Sequence, residues 1–269
     1  MTDKKMLYED RIVAFIDIMG FKQIIASTID EKGNERVEKT HHVKYLLELV
    51  SNVFEEHPDL ETTKIATQFS DSIVISFKYT EPSQVYHTLV DVLHLHLELV
   101  NLKETVRGAI CFGKLHHTEK LVFGPGIVKA YEFETTSALF PRIIIEPEVI
   151  RVGEKYAIYG HSKETEREHI DNVVKKDSDG QYYVDYFENA RFELDEPDFG
   201  WTDYLISLKT IIENGLKNKN PSVLSKFLWM KERYNELIPK HKTQEFLNNV
   251  REHLGEEFFD FYSQLEKIK

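Results

Sequence analysis

The run Arg11–Ile18 (RIVAFIDI) is apolar except for its first residue and one aspartate, Asp17, near its end. A short apolar run closed by Met19-Gly20 is the pattern of a fully buried central strand. A carboxylate in such a strand is costly unless it is paired, hydrogen-bonded or bound to a metal. The chain therefore calls for a covered sheet and for a partner to Asp17.

A second aspartate sits in a comparable place. Thr62–Phe69 and Ile73–Phe77 read as two strands meeting at Ser70-Asp71-Ser72, a hairpin with a polar tip. If these strands neighbour the first, Asp17 and Asp71 converge at one sheet edge. Two hard oxygen ligands there suit Mg²⁺ or Mn²⁺. The turn Ile18-Met19-Gly20-Phe21 adds backbone N–H groups at a helix start, where phosphate is favoured. Either aspartate alone reads equally well as a helix cap or turn former.

The remaining segments follow the same periodicities. Phe21–Ser27 reads as a short helix, and Val37–Glu56 as an amphipathic one closed by Pro58. Glu81-Pro82-Ser83 opens a helix running to about Leu99, with Pro82 in its first turn. Val106–Phe112 and His116–Phe123 read as separate strands, Ile127–Phe133 as a short helix, and Pro141–Val149 as a strand. The order β-α-α-β-β-α-β-β-α-β predicts an α/β (α+β) sandwich with an antiparallel hairpin inside the sheet. Beyond it, His161–Glu168 reads as a charged turn, and Asp177-Ser178-Asp179-Gly180 as the tip of a hairpin. Three helices are expected over 202–217, 221–237 and 242–267. This divides the chain into 1–150, an extension over 151–200, and a helical region over 201–269 packed on the first.

Composition narrows the partners. The net charge of −12 disfavours duplex DNA and anionic membranes. It leaves a nucleotide open, because one metal site dominates its local field. The single cysteine, Cys111, excludes an internal disulfide and cysteine-rich zinc sites. The charged start MTDKKMLYEDR has no h-region after it, and no apolar run approaches the roughly 20 residues of a membrane span. A cytoplasmic protein is expected. The pairs His41-His42 and His116-His117, and His94 with His96, diverge in direction and read as surface or core histidines. Lys176-Asp177-Ser178-Asp179-Gly180 lacks the ligands of a calcium loop.

Four motifs together resemble the class III nucleotide cyclases. Phe15-Ile16-Asp17-Ile18-Met19-Gly20-Phe21 is similar to that family's F-x-D-I-x-G-F segment, and Ser70-Asp71-Ser72-Ile73 to its hairpin. Val106–Gly113 resembles its R-x-G-I-x-x-G strand, and Phe123–Ala130 its W-G-x-x-V-N-x-A helix start. The four stand in the family's order over about residues 10–150. The resemblance implies a ferredoxin-like nucleotidyl cyclase sandwich. It also implies two Mg²⁺ or Mn²⁺ ions held by Asp17, the Ile18 carbonyl and Asp71, and phosphate against Met19, Gly20 and Phe21. Thr67 and Phe69 would line the base pocket. An NTP would become a 3′,5′-cyclic nucleotide and pyrophosphate, in a homodimer whose product acts on a downstream effector.

The departures shape this expectation. Val128 and Glu132 stand where the family offers an Asn and a transition-state Arg, and Thr67 where adenylate cyclases carry an adenine-selecting Lys. The divergent pattern resembles the pyrimidine cyclases of bacterial Pycsar antiphage systems. Another group must then supply positive charge. Arg142 and Lys129 are the candidates, with a structural ion pair as the other reading of Arg142. Arg107 has its own alternative, a pair with a buried acid such as Glu134. Three function classes stay open: a cyclase, a nucleotide-binding sensor without turnover, and an interaction protein using Phe227, Trp229, Phe258, Phe259, Phe261 and Tyr262 of the C-terminal helices.

Overall fold

The computed structural model describes residues 6–54, 62–194 and 197–269. Pro58, expected to close the second helix, lies outside them. The chain divides into two compact units, Met1–His96 with Thr105–Val184, and Leu97–Glu104 with Asp185–Lys269.

The first unit begins with β1 (Glu9–Ile18), the short α1 (Phe21–Ala26) and α2 (Val37–Asn52). The hairpin β2 (Ile65–Phe69) and β3 (Ser72–Lys78) follows, then α3 (Gln84–Asn101), whose last residues fall in the second unit. Next come β4 (Val106–Thr118), β5 (Leu121–Phe123), α4 (Pro125–Ser137) and β6 (Ile143–Ile145). The unit ends with α5 (Pro147–Lys155), α6 (Lys163–Asp171), β7 (Val174–Lys176) and β8 (Tyr182–Val184). The strands form one mixed sheet in the order β2-β3-β1-β4-β6-β8-β7, with β5 folded back on β4. Its first four strands are antiparallel and arranged as in the β-α-β-β-α-β ferredoxin-like motif. The expected α/β sandwich is the observed one.

The central strand is as buried as its sequence demands. Ile12, Val13, Ala14, Ile16 and Ile18 are each 2% exposed or less. At about 1.5–3 kcal/mol per large aliphatic side chain, such burial is a main driving force for the sheet. Alternate β1 residues serve opposite faces. Val13 and Phe15 pack with Val74, Cys111, Leu115 and Ala130 beneath α4.

Several boundaries differ from the sequence reading, each for a local reason. The two strands expected over 106–123 are one 13-residue strand followed by a short return. Gly113 does not break β4. It lets α4 approach, since a Cβ there would stand 2.7 Å from the Gly126 Cα. Pro82 lies ahead of its helix, because Ser83 turns with φ +53° and the helix begins at Gln84. Pro147 starts α5 rather than ending a strand; it occupies the first turn, where a missing N–H costs nothing. The charged segment at 161–168 is helical from Lys163 on, because Ser162 accepts from the Thr165 N–H and Glu164 and Glu166 fill the first turn. The hairpin β7–β8 joins the main sheet through β6.

The second unit holds α7 (Pro197–Gly215), α8 (Pro221–His241), α9 (Gln244–His253) and α10 (Glu256–Gln264). Gly255, with φ +95°, divides the last expected helix in two. Trp201 stacks on Tyr204 at 5.4 Å, and its indole N–H donates to His241 Nε2 at 2.8 Å. Of the aromatics considered as an interaction surface, Trp229 and Tyr262 are buried and Phe227, Phe258, Phe259 and Phe261 are half-buried. Their apolar spacing serves this unit's core.

Gly113→Ala is expected to destabilise the protein by about 1–3 kcal/mol, because backbone must yield on both sides of the contact. Denaturant unfolding measures it, and an unchanged midpoint would contradict the close approach.

Candidate functional site

Antiparallel pairing brings the two aspartates together. In register, Asp17 faces Ser72 of β3 on one side and Arg107 of β4 on the other. Phe69 of β2 faces Ser72, so Phe69, Ser72, Asp17 and Arg107 form one row across the sheet. The β2–β3 turn needs only Ser70 and Asp71, with Ser70 at φ +56°. Its tip is tied to the end of β1 by a 3.0 Å bond from the Ile18 N–H to the Asp71 carbonyl. The Ser72 hydroxyl donates to Asp17 Oδ1 at 3.0 Å.

Electrostatics follow from this placement. The Asp17 pKa is raised, first by burial and further by the nearby charges of Asp71 and Glu134; the Ser72 hydrogen bond and Arg107 oppose the rise. Arg107 Nε lies 3.9 Å from Asp17 Oδ2 and 2.5 Å from Glu134 Oε1 on α4. The closer contact is an ion pair; its N–H direction misses hydrogen-bond geometry, and Glu134 Oε1 has no hydrogen bond. Among the described residues, the cation paired with an acid at this rim is Arg107, itself divided between Asp17 and Glu134. The Ile18 carbonyl ends the same strand. This donor set of hard oxygens fits a divalent ion of the Mg²⁺ or Mn²⁺ kind.

The other residues singled out from sequence fall in varied places. The Met19 N–H is used by the Thr105 carbonyl at 2.9 Å, so in this turn Gly20 and Phe21 remain as backbone donors. The Phe21 side chain is buried. Phe69 is 54% exposed. The Thr67 hydroxyl shares a 2.9 Å hydrogen bond with His117 Nε2, whose Nδ1 meets the Ser76 hydroxyl at 2.8 Å. Burial, with Arg11 nearby, pushes His117 down to about 4, so its ring is neutral near pH 7.

The two cations chosen from sequence are elsewhere. Arg142 is fully buried, and its guanidinium pairs with Asp177 and Asp179 at the β7–β8 turn. It is the structural ion pair of the alternative reading. The Asp-Ser-Asp-Gly turn, which lacks the ligands of a calcium loop, is its counterpart. Lys129 reaches Glu146 at 2.5 Å and the Phe112 carbonyl at 3.2 Å. Phe112 is five residues along β4 from Arg107, roughly 17 Å at strand rise. The cation beside Asp17 is Arg107. Its strand position opposite Asp17 was hidden until β1 and β4 were known to pair.

No family model and no curated protein matches this chain. Two solved structures of bacterial light-regulated adenylyl cyclases are similar in part. One is 14% identical with a TM-score of 0.38, over 54% of this chain and 45% of that chain. The other is 11% identical with a TM-score of 0.38, over 70% of this chain and 99% of that one. This chain therefore spans less than half the length of the first.

A raised Asp17 pKa has a testable sign. The folded state holds the proton more tightly than the unfolded chain, whose value is about 3.9. Stability is therefore lost as pH rises from that value through the folded one, and the deficit is full above both. Without divalent ions, Asp17→Asn should melt about 1–3 °C higher than the parent at about pH 7. The gain should vanish near about pH 3. A lower melting temperature at neutral pH would contradict the assignment.

Proposed function

We propose that this protein is a metal-dependent nucleotide cyclase acting on a nucleoside triphosphate. The observation that carries the reading is the tie between the Asp71 turn and the end of β1, which sets two acidic side chains at one rim. The motifs around both aspartates and Arg107, in the family's order, support the same reading.

Asp17, Asp71 and the Ile18 carbonyl would hold two divalent ions. Bound there, such ions lower the pKa of a ribose 3′-hydroxyl and offset phosphate charge. The backbone N–H groups of Gly20 and Phe21 orient the phosphates. Arg107, beside Asp17, takes the charge-stabilising role, in place of Arg142 and Lys129. Phe69 offers a ring for a base to pack against, and Thr67 a hydroxyl backed by neutral His117. The 3′-oxygen attacks the α-phosphate in line, forming the cyclic phosphodiester and releasing pyrophosphate. Exposed Phe69 on β2 and Val128 and Tyr131 on α4 are surfaces a homodimer would cover. A pyrimidine base, an antiphage role and an effector that binds the product belong to the narrower resemblance.

One observation favours a second reading, a sensor that binds nucleotide without turnover. Val128 and Glu132 are exposed on α4 and offer no cation where the family has its Asn and Arg.

Both are tested by incubating the purified protein with each of the four NTPs and Mn²⁺ and resolving products by mass spectrometry. The cyclase reading expects one cyclic nucleotide. Asp17→Ala and Asp71→Ala should abolish it, and Arg107→Gln should lower its rate by about 10²–10³-fold. Metal-dependent binding without product selects the sensor. Product that survives Asp17→Ala contradicts the mechanism.

A further inference from the structure

We propose that His161, Glu166 and His169 form a binding site for a first-row transition metal of the zinc class, separate from the Asp17 rim. Glu166 and His169 lie three residues apart on one face of α6, and His161 stands just ahead of the Ser162 cap. One ligand atom from each of the three lies within 4.8 Å of the other two. Among the described residues this is the cluster of three such groups.

The carboxylate of Glu166 points to a cation. Glu166 is fully buried, and its Oε1 has no hydrogen-bond partner. Its Oε2 meets His161 Nδ1 at a long 3.3 Å. A carboxylate held this way carries an unmet desolvation cost, which a metal bonded to it would offset. Two imidazoles beside it select zinc, cobalt, nickel or copper over magnesium or calcium. Four-coordinate zinc bonds of about 2.0–2.1 Å put ligand atoms about 3.3 Å apart, so a modest closure of the cluster completes the shell. His161 is exposed, which leaves a path for the ion and a position for water.

The surroundings suit a structural clip. The His161 and His169 rings are 5.1 Å apart edge to face, and Tyr86 of α3 lies 5.3 Å from His169. The segment between α5 and α6 is joined to the start of α3 by the bond from the Ser83 N–H to the Tyr156 carbonyl. A metal on the three side chains would fasten that segment to α6.

The test uses the whole protein after treatment with a chelator. Co²⁺ is titrated as a spectroscopic probe, and Zn²⁺ retained after desalting is counted by elemental analysis. The expected result is one equivalent per chain, visible bands of four-coordinate Co²⁺, and a higher melting temperature with Zn²⁺. His161→Ala and His169→Ala alter exposed and half-exposed side chains. Each should weaken binding by about 100-fold or more, at least the loss an outer-shell partner brings. Asp17→Ala should leave this binding unchanged. Absence of stoichiometric retention would overturn the site, as would binding indifferent to both histidine variants or lost in Asp17→Ala.

Discussion

Antiparallel pairing of β1 with both β3 and β4 is the constraint on which the rest depends. It is driven by burial of nearly every aliphatic side chain in β1. Because pairing is residue by residue, packing of Ile12, Ile16 and Ile18 also decides what lies beside Asp17. A shift of one residue would turn the carboxylate to the opposite face. The tie from Ile18 to the Asp71 carbonyl then closes the rim. The site is built by the core, and its acids sit where the core ends.

Two arginines show how similar residues part company. Arg142 is surrounded on every side and matched to Asp177 and Asp179, so its charge is internally spent. A buried pair of this kind is weak evidence for added stability; removing one partner is what costs heavily. Arg107 is partly exposed and shared unequally between Glu134 and Asp17. Neutralisation at the rim is therefore incomplete, which is the charge balance the proposed cation site needs. The Asp17 pKa is raised first by burial, and the nearby charges of Asp71 and Glu134 add to it.

The sheet was largely legible because its strands carry strong local patterns. Arg11–Ile18 and the Ser70-Asp71 turn lie where a continuous apolar run and turn chemistry place them. Pairing partners were not legible, since no local signal states that Arg107 crosses from Asp17. The boundaries at Gly113 and Pro147 were not legible for a shared reason: the use of each is set by a packed neighbour or by the next element, not by its local pattern. The histidine and glutamate of α6 went unremarked because 161–168 reads as a charged turn. Ser162 as a cap was the signal that would have put Glu166 and His169 on one helical face.

The central claim is that Asp17 and Asp71 act as one cation site, and Mn²⁺ binding followed by electron paramagnetic resonance tests it most directly. The titration is best made in a His169→Ala background, so that ions at α6 do not contribute. The account predicts that Asp17→Ala and Asp71→Ala each weaken the same Mn²⁺ site, and that the double variant is little worse than either alone. Mn²⁺ affinity unchanged in either single variant, or losses that simply add, would contradict it.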